Sequence, residues 1–169
     1  LPVTNDYGLS KRLYSRYMMD FSADFTFYHF ILPNMFSEDD LKPGTRLVPY
    51  TLQYLQDYNA GKNVQVPSFS AGLQTRQFIT LEEMIQTVDK AVCKYIVSDV
   101  YNMGGGEFLS IRHLIERLFA IYNVPCKDEF FGQEIRRDGD IKSLRIDGSK
   151  LMNELGALPN SKIEDIFKI

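Results

Sequence analysis

The chain has 169 residues, of which 44% are hydrophobic and 24% charged, a composition that suits one globular domain or two partial ones. The net charge of −3 argues against a general nucleic-acid binder, because phosphate backbones select clustered Lys and Arg, which are scattered here. No apolar run approaches the roughly 18 residues of a membrane span, and Cys93 and Cys126 lack companion metal ligands. We therefore predict a cytoplasmic protein with reduced thiols, no membrane contact and no metal site.

The first predicted element is a helix that places Tyr7 and Lys11 four residues apart. Side chains at this spacing share one helical face, so the phenol and the ammonium point into the same space. A neighbouring cation favours the phenolate form of tyrosine, so the pair can supply a proton acceptor near neutral pH. Tyr and Lys also occur at this spacing by chance in many helices, so the pair alone favours a purely structural interpretation.

Strands and helices are predicted to alternate through the middle of the chain. The apolar run 25–32 is typical of a buried parallel strand, and the polar segment 37–45 indicates a surface loop. Residues 46–59 are predicted to be helical, and residues 64–66 are predicted to form a short strand.

Capping patterns mark the later helices. Residues 80–83 fit a capping box, so a helix is predicted to begin there. This helix is predicted to bury four apolar side chains, those of Met84, Ile85, Val88 and Val92. The apolar period of about 3.6 residues over 111–122 predicts another helix. A second capping box at 161–164 predicts a short terminal helix.

Several short motifs follow the Tyr-x-x-x-Lys pair in a fixed order. They occupy residues 32–37, 72–79, 101–106 with 108–111, 136–140, 147–150 and 154–156. In this order they resemble the extended branch of the short-chain dehydrogenase/reductase superfamily, the NAD-dependent nucleotide-sugar epimerase/dehydratase family, over essentially the whole chain. The chain departs from that pattern at Ile31 (Arg in the family), Phe36 (Tyr), Ser37 (Gly) and Gln77 (commonly Asp).

The resemblance implies an α/β fold, the C-terminal part of a doubly wound Rossmann-type sheet plus a small α/β substrate-binding subdomain. Residues 1–36 are expected to be a partial Rossmann-type segment. Residues 37–169 are expected to form mainly the subdomain, with 80–103 returning to the sheet. No Gly-x-x-Gly-x-x-Gly turn follows an N-terminal strand, so the site for a dinucleotide pyrophosphate is not encoded. We expect the C-terminal half of an enzyme, inactive and without cofactor by itself.

For the full-length enzyme, the resemblance implies a nucleotide-sugar substrate and NAD or NADP as cofactor. Tyr7, as phenolate, is expected to take a proton from a sugar hydroxyl while a hydride leaves the same carbon. Lys11 is expected to assist Tyr7 and to bind the nicotinamide ribose, so both residues are catalytic and cofactor-binding. Asn34, Arg76 and Arg137 are the expected substrate contacts, since guanidinium groups pair bidentately with phosphate. The alternatives are a strand-end turn residue for Asn34 and solvated surface charges for both arginines.

Two further questions stay open at this stage. The departures from the family pattern also fit a noncatalytic binding or regulatory protein that retains the epimerase/dehydratase scaffold. Without the missing N-terminal half, the first helix and the 25–32 strand expose apolar faces. The chain is therefore expected to stand beside that half, to self-associate as a homo-oligomer, or to rearrange.

Overall fold

The computed structural model describes residues 6–20, 25–132 and 141–167. Its helices are α1 Asp6–Asp20, α2 Leu47–Asn59, α3 Leu81–Lys94, α4 Ile111–Ile121 and α5 Ser149–Leu155. Its strands are β1 Tyr28–Ile31, β2 Asn34–Phe36, β3 Thr75–Thr80, β4 Asp99–Asn102, β5 Glu107–Ser110 and β6 Ser143–Leu144. Short 3-10 turns occupy Glu38–Leu41, Asp128–Phe130 and Ile163–Asp165.

The strands form two separate sheets. In the smaller sheet β1 and β4 pair in parallel, with Tyr28 opposite Asp99. In the larger sheet β3 lies centrally, parallel to β2 and β6 and antiparallel to β5. This mixed α/β arrangement confirms the predicted fold class. The predicted division of the chain at residue 36 and at 80–103 stays a prediction.

Each sheet has its own apolar core. The larger core packs α2 and α4 against the β2-β3-β5 sheet and contains fully buried leucines such as Leu52, Leu55, Leu114 and Leu118. The smaller core lies between α3, α5 and the parallel pair, and Tyr101 is buried at its centre. Burial of this kind is the main source of stability, so the larger core fixes the elements around it firmly.

The predicted N-cap of α3 is present, and α4 has an N-cap of the same kind. The Thr80 hydroxyl accepts a hydrogen bond from the backbone N–H of Glu83 at 3.1 Å, and the Ser110 hydroxyl accepts one from His113 at 3.1 Å. Met84 and Val88 pack against the smaller core as predicted. The predicted burial of Ile85 and Val92 is wrong, since both are exposed. The inward face of α3 contains Thr87 and Ala91. Val92 follows Ala91 by one residue, and Ile85 follows Met84 by one residue, so both side chains are rotated away from that face.

Three other sequence predictions need correction. Residues 64–66 form no strand, because that extended segment pairs with no other strand that the structure describes. The run 25–32 yields only the four-residue strand β1. The predicted short terminal helix is present only as the 3-10 turn Ile163–Asp165, and its cap is Lys162 and not Ser161, whose backbone N–H donates to the Glu83 carboxylate at 2.7 Å. The 37–45 loop also contains a 3-10 turn whose Asp40 is buried.

The glycine run of the 101–106 motif is a point of close backbone packing. A Cβ on Gly106 would lie 2.0 Å from the carbonyl oxygen of Phe78, and its φ of +65° favours glycine. A Cβ on Gly104 would lie 2.5 Å from the backbone nitrogen of Gly148. Gly106 therefore lets the loop after β4 approach β3, and Gly104 lets the same loop approach the backbone just before α5.

Candidate functional site

A cavity of about 800 Å³ lies between β2, β3 and the first turns of α2 and α4. One wall is apolar and aromatic, with Phe36, Phe69 and Phe78 among its residues. Polar side chains lie among the other lining residues, and they include Asn34, Arg46, Gln74 and Arg76. A cleft of this size with an apolar wall and a few polar groups is typical of a small-molecule site.

Arg76 lies on β3 with only 8% of its surface exposed. Its Nη1 donates to the carbonyl oxygen of Thr75 at 2.8 Å, and its Nη2 donates to that of Ile141 at 3.0 Å. The alternative of a solvated surface charge is therefore wrong for Arg76. These bonds fix the plane of the guanidinium at the cavity wall. A guanidinium with a fixed plane suits the recognition of carboxylate or phosphate groups.

Asn34 is the first residue of β2 and is paired in register with Phe78 of β3. This register brings it close to Arg76, two positions earlier on the neighbouring strand. Both residues line the main cavity and a small adjoining one of about 80 Å³. The structure thus brings together two of the three predicted substrate contacts, while their roles stay predictions. The third, Arg137, lies outside the described residues.

Tyr7 and Lys11 share one face of α1 as predicted, with the Lys11 Nζ 5.3 Å from the centroid of the Tyr7 ring. Tyr7 is 72% exposed, and α1 buries none of its side chains. Neither residue lines the main cavity. The structure therefore places the catalytic candidates and the substrate-binding candidates in different parts of the chain.

A contact between Ser15 and His29 connects α1 to β1. The Ser15 Oγ lies 3.1 Å from His29 Nδ1, and the ring of Tyr14 lies 6.3 Å from that of His29. Partial burial, and then the positive charge of Lys11, lower the pKa of His29 below its usual value, so its neutral form is favoured. A neutral imidazole next to Lys11 avoids a second positive charge at this face of α1.

Sequence reasoning missed a buried acid at the cavity mouth. The Asp40 carboxylate is almost fully buried, accepts a hydrogen bond from the backbone N–H of Ser37 at 2.9 Å and pairs with Arg46 Nη2 at 2.6 Å. The pair holds the exposed Arg46 side chain at the N-terminus of α2. The serine and the acid three residues later have the spacing of a capping box, which was the available signal in a segment predicted to be only loop.

Sequence reasoning also missed Gln74, which precedes β3. Its side chain lines the cavity with 7% of the residue exposed, and its Oε1 has no hydrogen-bond partner among the described residues. Its backbone carbonyl accepts a hydrogen bond from Ile111 at the start of α4 at 3.0 Å. The position is therefore held firmly while the buried oxygen stays unpaired, and the sequence carries no local signal for that state.

Two of the four departures from the family pattern have packing explanations. Gln77 is buried, donates from Nε2 to the carbonyl oxygen of Gly105 at 2.5 Å and accepts from the backbone N–H of Ile146 at 2.8 Å. An ionised aspartate could accept but not donate there. Phe36 is buried and stacks on Phe78 with ring centroids 5.0 Å apart. These two substitutions therefore serve the core and do not by themselves indicate a lost activity.

Within residues 6–20, 25–132 and 141–167, no group of three or more His, Cys, Asp and Glu side chains could hold a metal ion. No helix in the same part of the chain has the length and apolar character to cross a membrane.

Burial raises the pKa of the Cys126 thiol to about 11, which keeps this sulfur protonated and a poor nucleophile.

Comparison with known proteins agrees with the fold. No family model matches the chain. A curated dTDP-glucose 4,6-dehydratase from Streptomyces griseus is 22% identical over 120 residues, which are 71% of this chain and 34% of that protein. The structure of UDP-glucose 4-epimerase from Bifidobacterium longum, solved with NAD+ and UDP, matches with a TM-score of 0.77 and 22% identity, covering 99% of this chain and 53% of that one.

Two further solved structures show the same relation. The UDP-glucose 4-epimerase from Thermotoga maritima, solved with UDP-glucose, matches with a TM-score of 0.76 and 20% identity over 96% of this chain and 50% of that one. RMD from Pseudomonas aeruginosa, solved with NADPH, matches with a TM-score of 0.81 and 18% identity over 99% of this chain and 56% of that one. The chain thus spans about half the length of these structures, and about a third of the curated relative.

The fold is that of the C-terminal half of Rossmann-type sugar-nucleotide enzymes. The resemblance that the ordered motifs predicted, to NAD-dependent epimerases and dehydratases of the extended short-chain dehydrogenase/reductase superfamily, is confirmed over most of the chain.

Proposed function

We propose that this chain is the C-terminal portion of an NAD(P)-dependent nucleotide-sugar epimerase or dehydratase and that its cavity binds the nucleotide sugar. The observation that carries the proposal is the buried Arg76 guanidinium, fixed at the wall of a cavity of about 800 Å³ that also has an aromatic wall. A fixed guanidinium suits a diphosphate, and aromatic rings suit a nucleobase.

The charges of the cavity support an anionic ligand. Its charged lining side chains in the described part of the chain are Asp40, Arg46 and Arg76. Asp40 is paired with Arg46, and the guanidinium of Arg76 adds a second cationic group to the lining. Cationic side chains in a cleft with apolar walls attract anions such as a diphosphate.

The proposed chemistry uses Tyr7 and Lys11 of α1. The phenol of Tyr7 is exposed, which lets it reach a sugar hydroxyl and accept its proton. The Lys11 ammonium lies 5.3 Å from the Tyr7 ring, and we propose that it assists the proton transfer and binds a ribose hydroxyl. NAD or NADP, when bound, supplies the acceptor for the hydride that leaves the same carbon. The oxidised sugar is then epimerised, dehydrated or reduced.

The isolated chain is proposed to bind nucleotide sugar but not cofactor. The cavity is built from residues of this chain, whereas a glycine-rich turn for the pyrophosphate of NAD is not encoded in it. Turnover is therefore proposed to require the N-terminal half of the enzyme, whose sheet would complete the β1-β4 pair.

A noncatalytic scaffold protein is the second candidate. The observation in its favour is the set of departures from the family pattern, of which Ile31 has no structural explanation of the kind found for Phe36 and Gln77. Such a protein would bind a nucleotide sugar through the same cavity without turning it over. The two candidates therefore share the binding step and differ in the consequence of changing Tyr7.

The binding step is tested by isothermal titration of the chain with UDP-glucose, dTDP-glucose and NAD. We expect a nucleotide sugar to bind and NAD not to bind. Arg76→Ala should weaken nucleotide-sugar binding about ten- to hundredfold, as expected for a lost charged hydrogen bond of about 1.5–3 kcal/mol. Arg76→Lys should recover part of that loss, because an ammonium keeps the charge without the planar fork.

The matched control is Arg145→Ala, which removes an exposed arginine that does not line the cavity. It should leave the affinity unchanged. Thermal unfolding of each variant separates lost binding from lost fold, since Arg76 also holds the Ile141 carbonyl. Equal affinity of wild type and a folded Arg76→Ala variant would remove this arginine from the site. Micromolar NAD binding would contradict the proposed incompleteness of the cofactor site.

A further inference from the structure

The segment 158–167, which follows α5, belongs to both cores of the molecule. Leu158 packs against the smaller core, whereas Phe167 is buried in the larger core. Between them, the backbone carbonyl of Pro159 accepts a hydrogen bond from the Gly106 N–H at 2.6 Å. The segment therefore connects the two cores.

Two carboxylates hold this segment in place. The Glu83 carboxylate of α3 accepts hydrogen bonds from the backbone N–H groups of Asn160 and Ser161 and from the Ser161 hydroxyl. The Glu107 carboxylate of β5 accepts one from the Ile163 N–H at 2.9 Å. Hydrogen bonds to an ionised acceptor are roughly twice as strong as neutral ones. The turn that begins at Ile163 is therefore fixed against β5.

This turn places the ring of Phe167 against the aromatic wall of the cavity. The backbone N–H of Phe167 donates to the Ile163 carbonyl at 3.3 Å, and the residue is 1% exposed. Its ring meets that of Phe36 edge to face with centroids 6.0 Å apart, and Phe36 stacks on Phe78. Phe36 and Phe78 line the cavity, whereas Phe167 does not. Phe167 therefore contacts the wall without lining the cavity.

The orientation of the Phe36 ring depends on both of these ring contacts. Phe36 is the last residue of the three-residue strand β2, so strand pairing holds its backbone on one side only. Its interplanar angle is 6° to Phe78 and 75° to Phe167. Stacked and edge-to-face contacts each favour a particular ring geometry. The two neighbours therefore restrain the Phe36 ring in different directions.

We propose that Phe167 is a positioning residue for the cavity. Through Phe36 it sets the orientation of the aromatic wall, and the two carboxylates that hold the 158–167 segment keep it there. This inference rests on the proposed function, in which the aromatic wall binds the nucleobase of a nucleotide sugar. Phe167 itself does not touch the ligand. A change at Phe167 should therefore weaken the binding of every ligand with the same base, with or without the sugar.

The test compares Phe167→Leu with Phe119→Leu by isothermal titration with UDP-glucose and UDP. Phe119 is buried in the same core, but its ring packs against those of Tyr54 and Phe130, which do not line the cavity. Both variants should lower the melting temperature. Only Phe167→Leu should weaken binding, about two- to tenfold and equally for both probes, as expected for one lost aromatic contact.

Three titration results would overturn the inference. They are an unchanged affinity in a folded Phe167→Leu variant, an equal loss in Phe119→Leu, and a loss for UDP-glucose alone, because UDP carries the same base.

NMR of the ligand-free chain gives a readout that does not depend on binding. A buried ring flips only when its close-packed neighbours move aside, so the flip rate of the Phe36 ring reports how firmly it is held. This rate should rise in Phe167→Leu and stay unchanged in Phe119→Leu. An unchanged flip rate in Phe167→Leu would show that Phe167 fills the core without orienting the wall.

A second variant, Glu107→Gln, leaves every core side chain in place and weakens the hold on the Ile163 N–H. It should raise the Phe36 flip rate and lower both affinities, each by a smaller factor than Phe167→Leu. Its matched control is Glu82→Gln, which removes an exposed acid of α3 that bonds to Gln86. The control should change neither quantity. A folded Glu107→Gln variant with wild-type affinity and flip rate would contradict the proposed role of the segment.

The outcomes also separate this inference from the proposed function. Wild-type chain that binds neither probe overturns the proposed function and the effect on binding, and the Phe36 flip rate then decides whether Phe167 orients the wall. Wild-type binding that Phe167→Leu leaves unchanged overturns the inference about Phe167 alone.

Discussion

Helices α1 and α4 differ in how many of their side chains are buried by the rest of the chain. α4 buries Leu114, Ile115, Leu118 and Phe119 in the larger core, whereas α1 buries none of its 15 residues. Most helical stability in proteins comes from packing of an apolar face and not from intrinsic propensity. The chain's own contacts therefore fix the cavity, but they do not fix the helix that carries Tyr7 and Lys11. The binding region can be tested in the chain alone, and the catalytic region cannot.

The largest expected effect concerns the catalytic region. In the proposed full-length enzyme, Tyr7→Phe removes the proton acceptor and keeps the ring, so kcat should fall about 10²- to 10⁴-fold with little change in fold. Tyr14→Phe is the matched control, because it removes another exposed phenol from the same helix. Steady-state kinetics checks both variants. Near-normal turnover of Tyr7→Phe would favour the noncatalytic candidate.

The next effect compares the two regions by stability. Leu118 is fully buried in the larger core, so Leu118→Ala should lower the free energy of unfolding by about 2–5 kcal/mol. Leu13 is 59% exposed on α1, so Leu13→Ala should change it by less than about 0.5 kcal/mol. Urea denaturation at several protein concentrations measures both. A large, concentration-dependent effect of Leu13→Ala would show that α1 packs against a second copy in solution.

The smallest expected effect is a pH dependence at the contact between α1 and β1. The pKa of His29 is lowered in the folded chain, so the unfolded state holds more protons around pH 6. Its contribution to stability is therefore present above about pH 6.5 and is lost as the pH falls below that value. Melting temperatures between about pH 8 and 5 should decrease less in His29→Gln than in wild type. Equal sensitivity to acid would indicate that His29 does not contribute.

Local signals predicted much of this molecule. The i to i+4 spacing of Tyr7 and Lys11 and the cap at Thr80 depend on neighbours within four residues, which the sequence displays directly. The position of Arg76 in the cavity followed from a motif. Its burial could not be predicted, because it depends on the Ile141 carbonyl, 65 positions away along the chain.

The errors have the opposite cause. The three residues around Gln65 alternate like a strand, yet no described strand lies beside them, so the pattern has no ladder to join. Ser161 has the spacing of a helix cap, yet its backbone donor binds Glu83 from a distant helix. Gln74 could not be recognised as unpaired without its surroundings. In each case the outcome depends on which distant groups the fold brings, or does not bring, to the hydrogen-bonding atoms.

The amide of Gln77 has a consequence for how such chains are recognised by their motifs. The family pattern commonly has aspartate at this position. In this chain the side chain must both donate to the Gly105 carbonyl and accept from the Ile146 N–H. A carboxamide can make both hydrogen bonds, whereas an ionised carboxylate can only accept the one from the N–H. Divergence at a signature position can therefore reflect a changed loop contact, while the preceding residue of the strand, Arg76, still lines the cavity.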